Sequence, residues 1–352
     1  MTGMGTNIEA GRPVRLAVLS FAHYHANFWS EAFGDDPRVE FVGIWDDDAE
    51  RGRAAAARFG RAFLPDLDAA LARVDAVAIA SETAAHLPLI RRAARVGRHI
   101  LCEKPLATTL EDADAIAVEV AAAGICFAQS FPKRLDPINH ELKSIVQSGA
   151  LGRIMLVRIR HGHSHGTEAD FTGGWWTDRA RSGGGTLIDE GVHGADFLRW
   201  LFGDPCAVQA TLSSTACGLA VEDTAVATFT WPDGMIGELA TGWLMRAARH
   251  SVELYGTEGV ALLGGVDLAS RPNAAKPYLD VWSAGTGEWT GSPTVPGFVS
   301  GKFHHQSALA FVGHLLGERA LPSGLAEGRG ALAMILAAYE AARSGRTVTI
   351  AA

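Results

Sequence analysis

Apolar and polar positions follow two rhythms along the 352 residues. Through about residue 130, short runs that are apolar throughout alternate with stretches of helical period. The runs are Arg15–Leu19, Val39–Asp46, Asp75–Ala80, His99–Lys104 and Ile125–Phe131. Between them the pattern predicts a helix running through Ala32 and others over Glu50–Phe59, Ala84–Val96 and Leu110–Ala123. Strands that are apolar on both faces and separated by helices imply a parallel sheet covered on both sides, a doubly wound arrangement.

After Phe131 the rhythm changes. A helix is predicted over Pro137–Gln147, a strand over Arg153–His161, a Gly- and Trp-rich loop, and a helix near Asp189–Leu201. Consecutive strand-like runs follow: Ala207–Ala216, Thr224–Trp231, Met235–Thr241, Ser251–Gly256 and Val260–Leu263, separated by turns such as "WPDG" and "YGTEG". A late helix in "GRGALAMILAAYEAARSG" and a short strand in "RTVTI" end the chain. The fold class is α/β: a doubly wound parallel sheet of Rossmann type over 1–130, and an α+β domain with a large, mostly antiparallel open sheet over 131–352.

Composition narrows the function. Hydrophobic residues make up 48% and charged residues 20%, which is globular, and a net charge of −8 argues against nucleic acid as partner. The four cysteines lack the spacing of a metal ribbon or disulfide scaffold. The N-terminus lacks an apolar signal core and no run reaches membrane-spanning length, so a cytoplasmic protein with a loose tail over Met1–Gly11 is expected.

Three stretches carry chemistry. In "RLAVLSFAHYHANFW" the first strand enters a turn where a dinucleotide-binding fold has G-x-G-x-x-G; here the three positions are Ser20, Ala22 and His25. Small residues at the first two preserve some of the close backbone approach, and helix amides can still receive a pyrophosphate. Asp46 ends the second strand near the spacing of about 20 residues expected for a carboxylate on the ribose hydroxyls. With Asp47 and Asp48 beside it, NAD is expected in preference to NADP. In "HILCEKPLATTLEDA", Lys104 lies past the end of a buried strand, either at the mouth of a ligand site or as a solvated strand end paired with Glu103. In "RSGGGTLIDEGVHGADFLRWLFG", three glycines precede Asp189, His193 and Asp196, spaced to share one helix face. That pattern suits a catalytic group or a satisfied core histidine.

"CEKPLATTLEDA" and "GGGTLIDEGVHGADFLRWLFG" together resemble the paired signatures of the glucose-fructose oxidoreductase / inositol dehydrogenase / MocA (Gfo/Idh/MocA) family. "IASETAAHLPLIRRAARVGRHILCEKP", "FPKRLDPINHELKSIVQSGALGRI" and "GRTVTI" extend the resemblance over nearly the whole chain. In that family E-K-P closes the fifth strand, so "AFLPDLDAAL" is expected to hide one small element. The resemblance implies an NAD-dependent oxidoreductase acting on a secondary hydroxyl or ketone of a sugar, inositol or related polyol, working as a homodimer or homotetramer. It implies Lys104, Asp189 and His193 as the catalytic set, His193 being the base. It places the cofactor against Ser20, Phe21, Ala22, His23, Asp46, Ser81, Thr83, His86, Glu103 and Lys104. Glycoside cleavage through transient oxidation and a non-catalytic sugar-binding regulator are the alternatives.

One feature lies outside the family pattern. "RHGHSHG" puts His161, His163 and His165 on one face if the strand continues. Three such rings could bind zinc or could donate hydrogen bonds to substrate hydroxyls. The second is expected, with no metal: His163 and His165 contact substrate, together with Trp176, Arg179, Asp189 and His193.

Overall fold

The computed structural model describes residue 8 and residues 11–245, 249–264, 277–295 and 301–350. Most of the expected tail, residues 1–7, 9 and 10, lies outside them. The chain packs as two compact units, 1–132 with 301–329 and 133–300 with 330–352. The hydropathy pattern set one boundary near 130; the return of 301–329 to the first unit was not anticipated.

The first unit holds five parallel strands: β1 (Val14–Leu19), β2 (Val39–Trp45), β3 (Ala76–Ile79), β4 (His99–Cys102) and β5 (Phe127–Gln129), in the order β2-β1-β3-β4-β5. The winding reverses between β1 and β3, so their carboxyl ends open the crevice where such sheets take ligands. Local chemistry sets the helix ends. Asp48 accepts the amides of Glu50 and Arg51 to start the helix Ala49–Phe59, and left-handed Gly60 stops it. Thr109 and Gly124 do the same for Leu110–Ala123. The element expected in "AFLPDLDAAL" is a single bridge, Phe63 to Ile44, followed by the short helix Leu67–Ala72. E-K-P therefore follows the fourth strand. The helix Lys302–Leu315, which the pattern did not predict, has no side-chain cap at its start; its Phe311 and Leu315 join Trp29, Phe33 and Ile44 in the core.

The second unit is built on a nine-stranded sheet, in the order β13-β12-β11-β10-β6-β9-β8-β7-β14. Its strands are β6 (Ile154–Gly162), β7 (Ala207–Ser213), β8 (Thr224–Thr230), β9 (Ile236–Gly242), β10 (His250–Gly256), β11 (Gly259–Gly264), β12 (Leu279–Ser283), β13 (Glu288–Gly291) and β14 (Val348–Thr349). All neighbours pair antiparallel except β6 and β9. The helix Gly191–Phe202 lies on β6 and β9. Gly194 permits this, because a Cβ there would run into Leu239. No helix among the described residues is long and apolar enough to cross a membrane.

Asp75, just before β3, ties the sheet to the start of the chain. It accepts from Arg12 (2.6 Å), from the Arg15 guanidinium (2.8 Å) and from the Arg15 amide (2.9 Å). Burial alone would raise its pKa, but those hydrogen bonds win and hold it well below the usual carboxylate range. A depressed carboxylate stabilises the fold above its unfolded value of about 3.9 and loses that contribution as pH falls through the folded value. Asp75→Asn should therefore cost about 1–2 kcal/mol at pH 7. Urea unfolding should show the gap to wild type narrowing below about pH 4.

Candidate active site

The turn after β1 keeps the shape of a glycine turn without the glycines. Ser20 adopts φ +71°, the left-handed region that glycine normally supplies. Its hydroxyl accepts the Ala22 amide (3.2 Å), which offsets part of the torsional cost. The Phe21 amide donates to Asp46 (2.8 Å) and the His23 amide to the Ala80 carbonyl (2.9 Å). These amides are thus engaged within the protein. Asp46 also takes Arg51 through two nitrogens (2.6 and 3.0 Å), so the acidic corner at β2 contains a cation that sequence spacing did not reveal. Burial pushes Asp46 upward, opposed by Arg51 and the backbone donors. The reversal of winding at β1 and β3, the left-handed first position and a carboxylate closing β2 fit a dinucleotide.

The E-K-P turn is buried, with Glu103 at 0% and Lys104 at 2% exposure, which removes the solvated strand-end reading. Glu103 accepts the Lys104 amide (3.1 Å) and faces His25 Nδ1 (3.2 Å), while Gln129 donates to the Glu103 carbonyl (2.8 Å). The Lys104–Pro105 peptide is cis. His86 is also fully buried, and its Nδ1 donates to the Pro105 carbonyl (2.9 Å). Through this bond His86 anchors the turn that bears Lys104. Ser81 and Thr83, at the end of β3, are buried beside the crevice.

In the second unit, Asp189 and His193 do not ride on one helix. Asp189 ends a short helix, Thr186–Asp189; Glu190 intervenes, and His193 belongs to Gly191–Phe202. The glycine loop is closely approached by the protein itself: a Cβ at Gly184 would strike the Tyr339 hydroxyl, and one at Gly185 the Glu222 backbone. Trp243 donates its indole N–H to Asp189 Oδ2 (3.0 Å). His193 lies edge-on to His161, with ring centroids 5.1 Å apart, and His161 Nε2 is 3.2 Å from Glu190. Asp196 is buried in a two-point pair with Arg134 (2.7 and 2.9 Å), a structural role.

The three-histidine face does not form. β6 ends at Gly162, so strand alternation stops before His165, which is about one-third exposed and pairs with Glu168 (2.9 Å). Only His161 and His163 are buried there. Trp176 stacks on Phe171 (5.5 Å), whose ring meets His163 and Trp243 (4.9 Å each). Arg179 leaves 60% of its side chain exposed, 4.0 Å from Glu222.

Two groups among the described residues bring metal-type donors within 4.8 Å: His23, His25 and Glu103, and His163, Asp189 and Glu190. Tautomer chemistry argues against both. His23 Nδ1 accepts the His25 amide (3.2 Å) and His163 Nδ1 accepts the His165 amide (3.1 Å). A neutral ring accepting at Nδ1 carries its proton on Nε2 and presents an N–H there, whereas a ligating histidine donates from its second nitrogen. Both rings are set up as donors.

Sequence reasoning missed Trp243, Glu190, Glu222 and Lys133. Burial pushes the Lys133 ammonium pKa down, while Asp136 and Glu190 pull it back up. No local signal marked these residues, because each acts on a partner distant in sequence or buried by the fold; only His161 was visible in its histidine run. Trp243→Phe should lower stability by about 1–3 kcal/mol through the lost donor to Asp189. In an Asp189→Ala background the same change should cost much less, a coupling that denaturant unfolding of the four proteins would read.

Comparison with known proteins agrees with this geometry. Residues 19–131 match an oxidoreductase-family domain described as an NAD-binding Rossmann fold, and residues 139–262 match the GFO/IDH/MocA C-terminal domain. The 1,5-anhydro-D-fructose reductase of Ensifer adhaerens is 30% identical over 244 residues, covering 66% of this chain and 70% of that protein. The structure of GenD2 from gentamicin A biosynthesis, in complex with NAD, is 26% identical with a TM-score of 0.80 over 100% of both chains. The aldose-aldose oxidoreductase of Caulobacter crescentus, complexed with glycerol, is 25% identical with a TM-score of 0.79, covering 96% of this chain and 100% of that one. With both domains matched in order, the chain belongs to the Gfo/Idh/MocA family of NAD-binding oxidoreductases.

Proposed function

We propose that this oxidoreductase acts on a secondary hydroxyl or ketone of a sugar, inositol or related polyol, with His193 as general base, Lys104 on the reacting oxygen and Asp189 orienting the substrate. The observation that carries the reading is the sequestration of these groups: Lys104 is 2% and His193 6% exposed, and Asp189 is held by the Trp243 indole. An alcohol does not ionise near neutrality, so its proton needs a positioned base and its developing negative charge a cation. NAD, when bound, supplies the hydride acceptor. His193 takes the hydroxyl proton, and the Lys104 ammonium hydrogen-bonds the oxygen as it becomes a carbonyl.

A polyol suits the surroundings. His163 offers a fixed N–H, Asp189 and Glu190 offer acceptors, and Phe171 with Trp176 offers an aromatic surface for ring C–H groups. The names of the relatives, a reductase of 1,5-anhydro-D-fructose and an aldose-aldose oxidoreductase, point the same way. On this reading the chain works as a homodimer or homotetramer through the open sheet face, where Val226 and Ile236 are exposed.

The acidic corner generates a cofactor prediction. Arg51 offsets one charge, but Asp46, Asp47 and Asp48 leave the corner net negative. NAD(H) should bind at least about tenfold more tightly than NADP(H), roughly 1.4 kcal/mol. Fluorescence titration of both cofactors checks this, and Asp46→Ala should narrow the difference.

For the chemical step, His193→Asn and Lys104→Met should each lower kcat by about 10²–10⁴-fold while NAD affinity stays within a few-fold of wild type. Wild-type oxidation should slow at acidic pH as the base is protonated, and His193→Asn should lose that limb. Rates of NADH formation across a panel of sugars, inositols and glycosides provide the readout. Near-native turnover by His193→Asn would refute the assignment.

A further inference from the structure

The four-residue helix that ends in Asp189 is too short to hold itself together, since helix nucleation is unfavourable and the first four amides of any helix lack internal partners. Here all four amides are taken by two residues from elsewhere in the chain. Glu222, in the segment before β8, accepts the Gly185 amide (2.9 Å) and the Leu187 amide (3.1 Å) on Oε1, and its backbone carbonyl accepts the Thr186 amide (2.9 Å). Tyr339, on the helix Leu325–Ser344, donates its hydroxyl to the same Oε1 (2.5 Å) and accepts the Ile188 amide (3.2 Å). Glu222 is 4% exposed.

This arrangement differs from an ordinary helix cap in two respects. A neutral Ser or Asn next to the helix would satisfy one or two amides at little desolvation cost. Instead a carboxylate is buried and surrounded by three donors on one oxygen, an arrangement whose members depend strongly on one another. Gly184 and Gly185 lack side chains where Tyr339 and Glu222 come closest, so the loop is fitted to this clamp. One residue past the clamped turn stands Asp189, whose amide bonds back to Gly185, and His193 begins from the Glu190 carbonyl.

We propose that Glu222 and Tyr339 are positioning residues for the reaction: they fix the Gly185–Ile188 amides and thereby set where Asp189 and His193 meet the substrate. This rests on the dehydrogenase reading above. A displacement of about 1 Å at a reacting group can cost on the order of 100-fold in rate. Glu222→Ala should therefore lower kcat by about 10–100-fold, with NAD affinity unchanged. Glu222→Gln keeps an acceptor oxygen in place and should recover most of that loss. Tyr339→Phe, which removes one hydroxyl and leaves the ring, should fall between wild type and Glu222→Ala and serves if Glu222→Ala does not fold.

The experiment combines two readouts on the full-length protein. Hydrogen–deuterium exchange of the peptide spanning 184–190 should quicken in Glu222→Ala and Tyr339→Phe. Turnover should show non-additivity, with Glu222→Ala adding little to the loss already caused by Asp189→Asn. Faster exchange with unchanged kcat would make the clamp purely structural, and unchanged exchange would remove the clamp altogether; either overturns the proposal. Wild-type protein inactive on the whole substrate panel would instead sink the dehydrogenase reading, while the exchange data would still report on the clamp.

Discussion

Burying a carboxylate without donors costs several kcal/mol, and this chain buries several. Each has its hydrogen bonds. Asp75 has two arginines and an amide, Asp46 has Arg51 and two amides, Asp196 has Arg134, and Glu222 has two amides and a phenol. Satisfying these groups dictates much of the local geometry: where the first strand begins, how the turn after it closes, and how the glycine loop lies on its support. The sheets provide apolar mass, but the buried charges specify the detailed positions near the chemistry.

The elements that the hydropathy pattern predicted well are those with caps and uninterrupted cores. Leu110–Ala123 and Pro137–Gln147 match residue for residue, because Thr109 and Gly124 bound the first and Asp136 starts the second. The elements it missed have weak local signals. β13 is the exposed edge strand, β12 beside it is mostly half-buried with only Leu279 in the core, and Lys302–Leu315 starts without a side-chain cap. The motifs that bear the candidate residues Lys104, Asp189 and His193 were legible because each is contiguous. The groups that hold them were not: Trp243 reaches Asp189 across 54 positions and Tyr339 reaches Ile188 across 151. The expectation that Asp189 and His193 share a helix failed because helical spacing alone does not register a break at Glu190.

Two His-x-His pairs, one in each unit, use the same local device. In each the amide of the second histidine, His25 or His165, donates to Nδ1 of the first, His23 or His163. A five-atom ring that could carry its proton on either nitrogen is thereby held in one tautomer. For His163, whose Nε2 lies 3.8 Å from Asp189, this gives a donor aimed toward a carboxylate and suited to a hydroxyl. Histidine spacing in the sequence left both metal ligation and hydrogen bonding open; the backbone's participation favours a donor role for these two rings.

Ser20 shows how a phosphate turn can drift from its usual spelling. The backbone there needs a positive φ, not a glycine as such. A short side chain that hydrogen-bonds the amide two residues ahead can meet the same torsional demand. Asn or Asp could substitute on the same terms, whereas Ala or a β-branched residue would bear the torsional cost uncompensated. Dinucleotide folds that have lost their glycines are therefore better recognised by backbone torsion at the end of the first strand than by the letters written there.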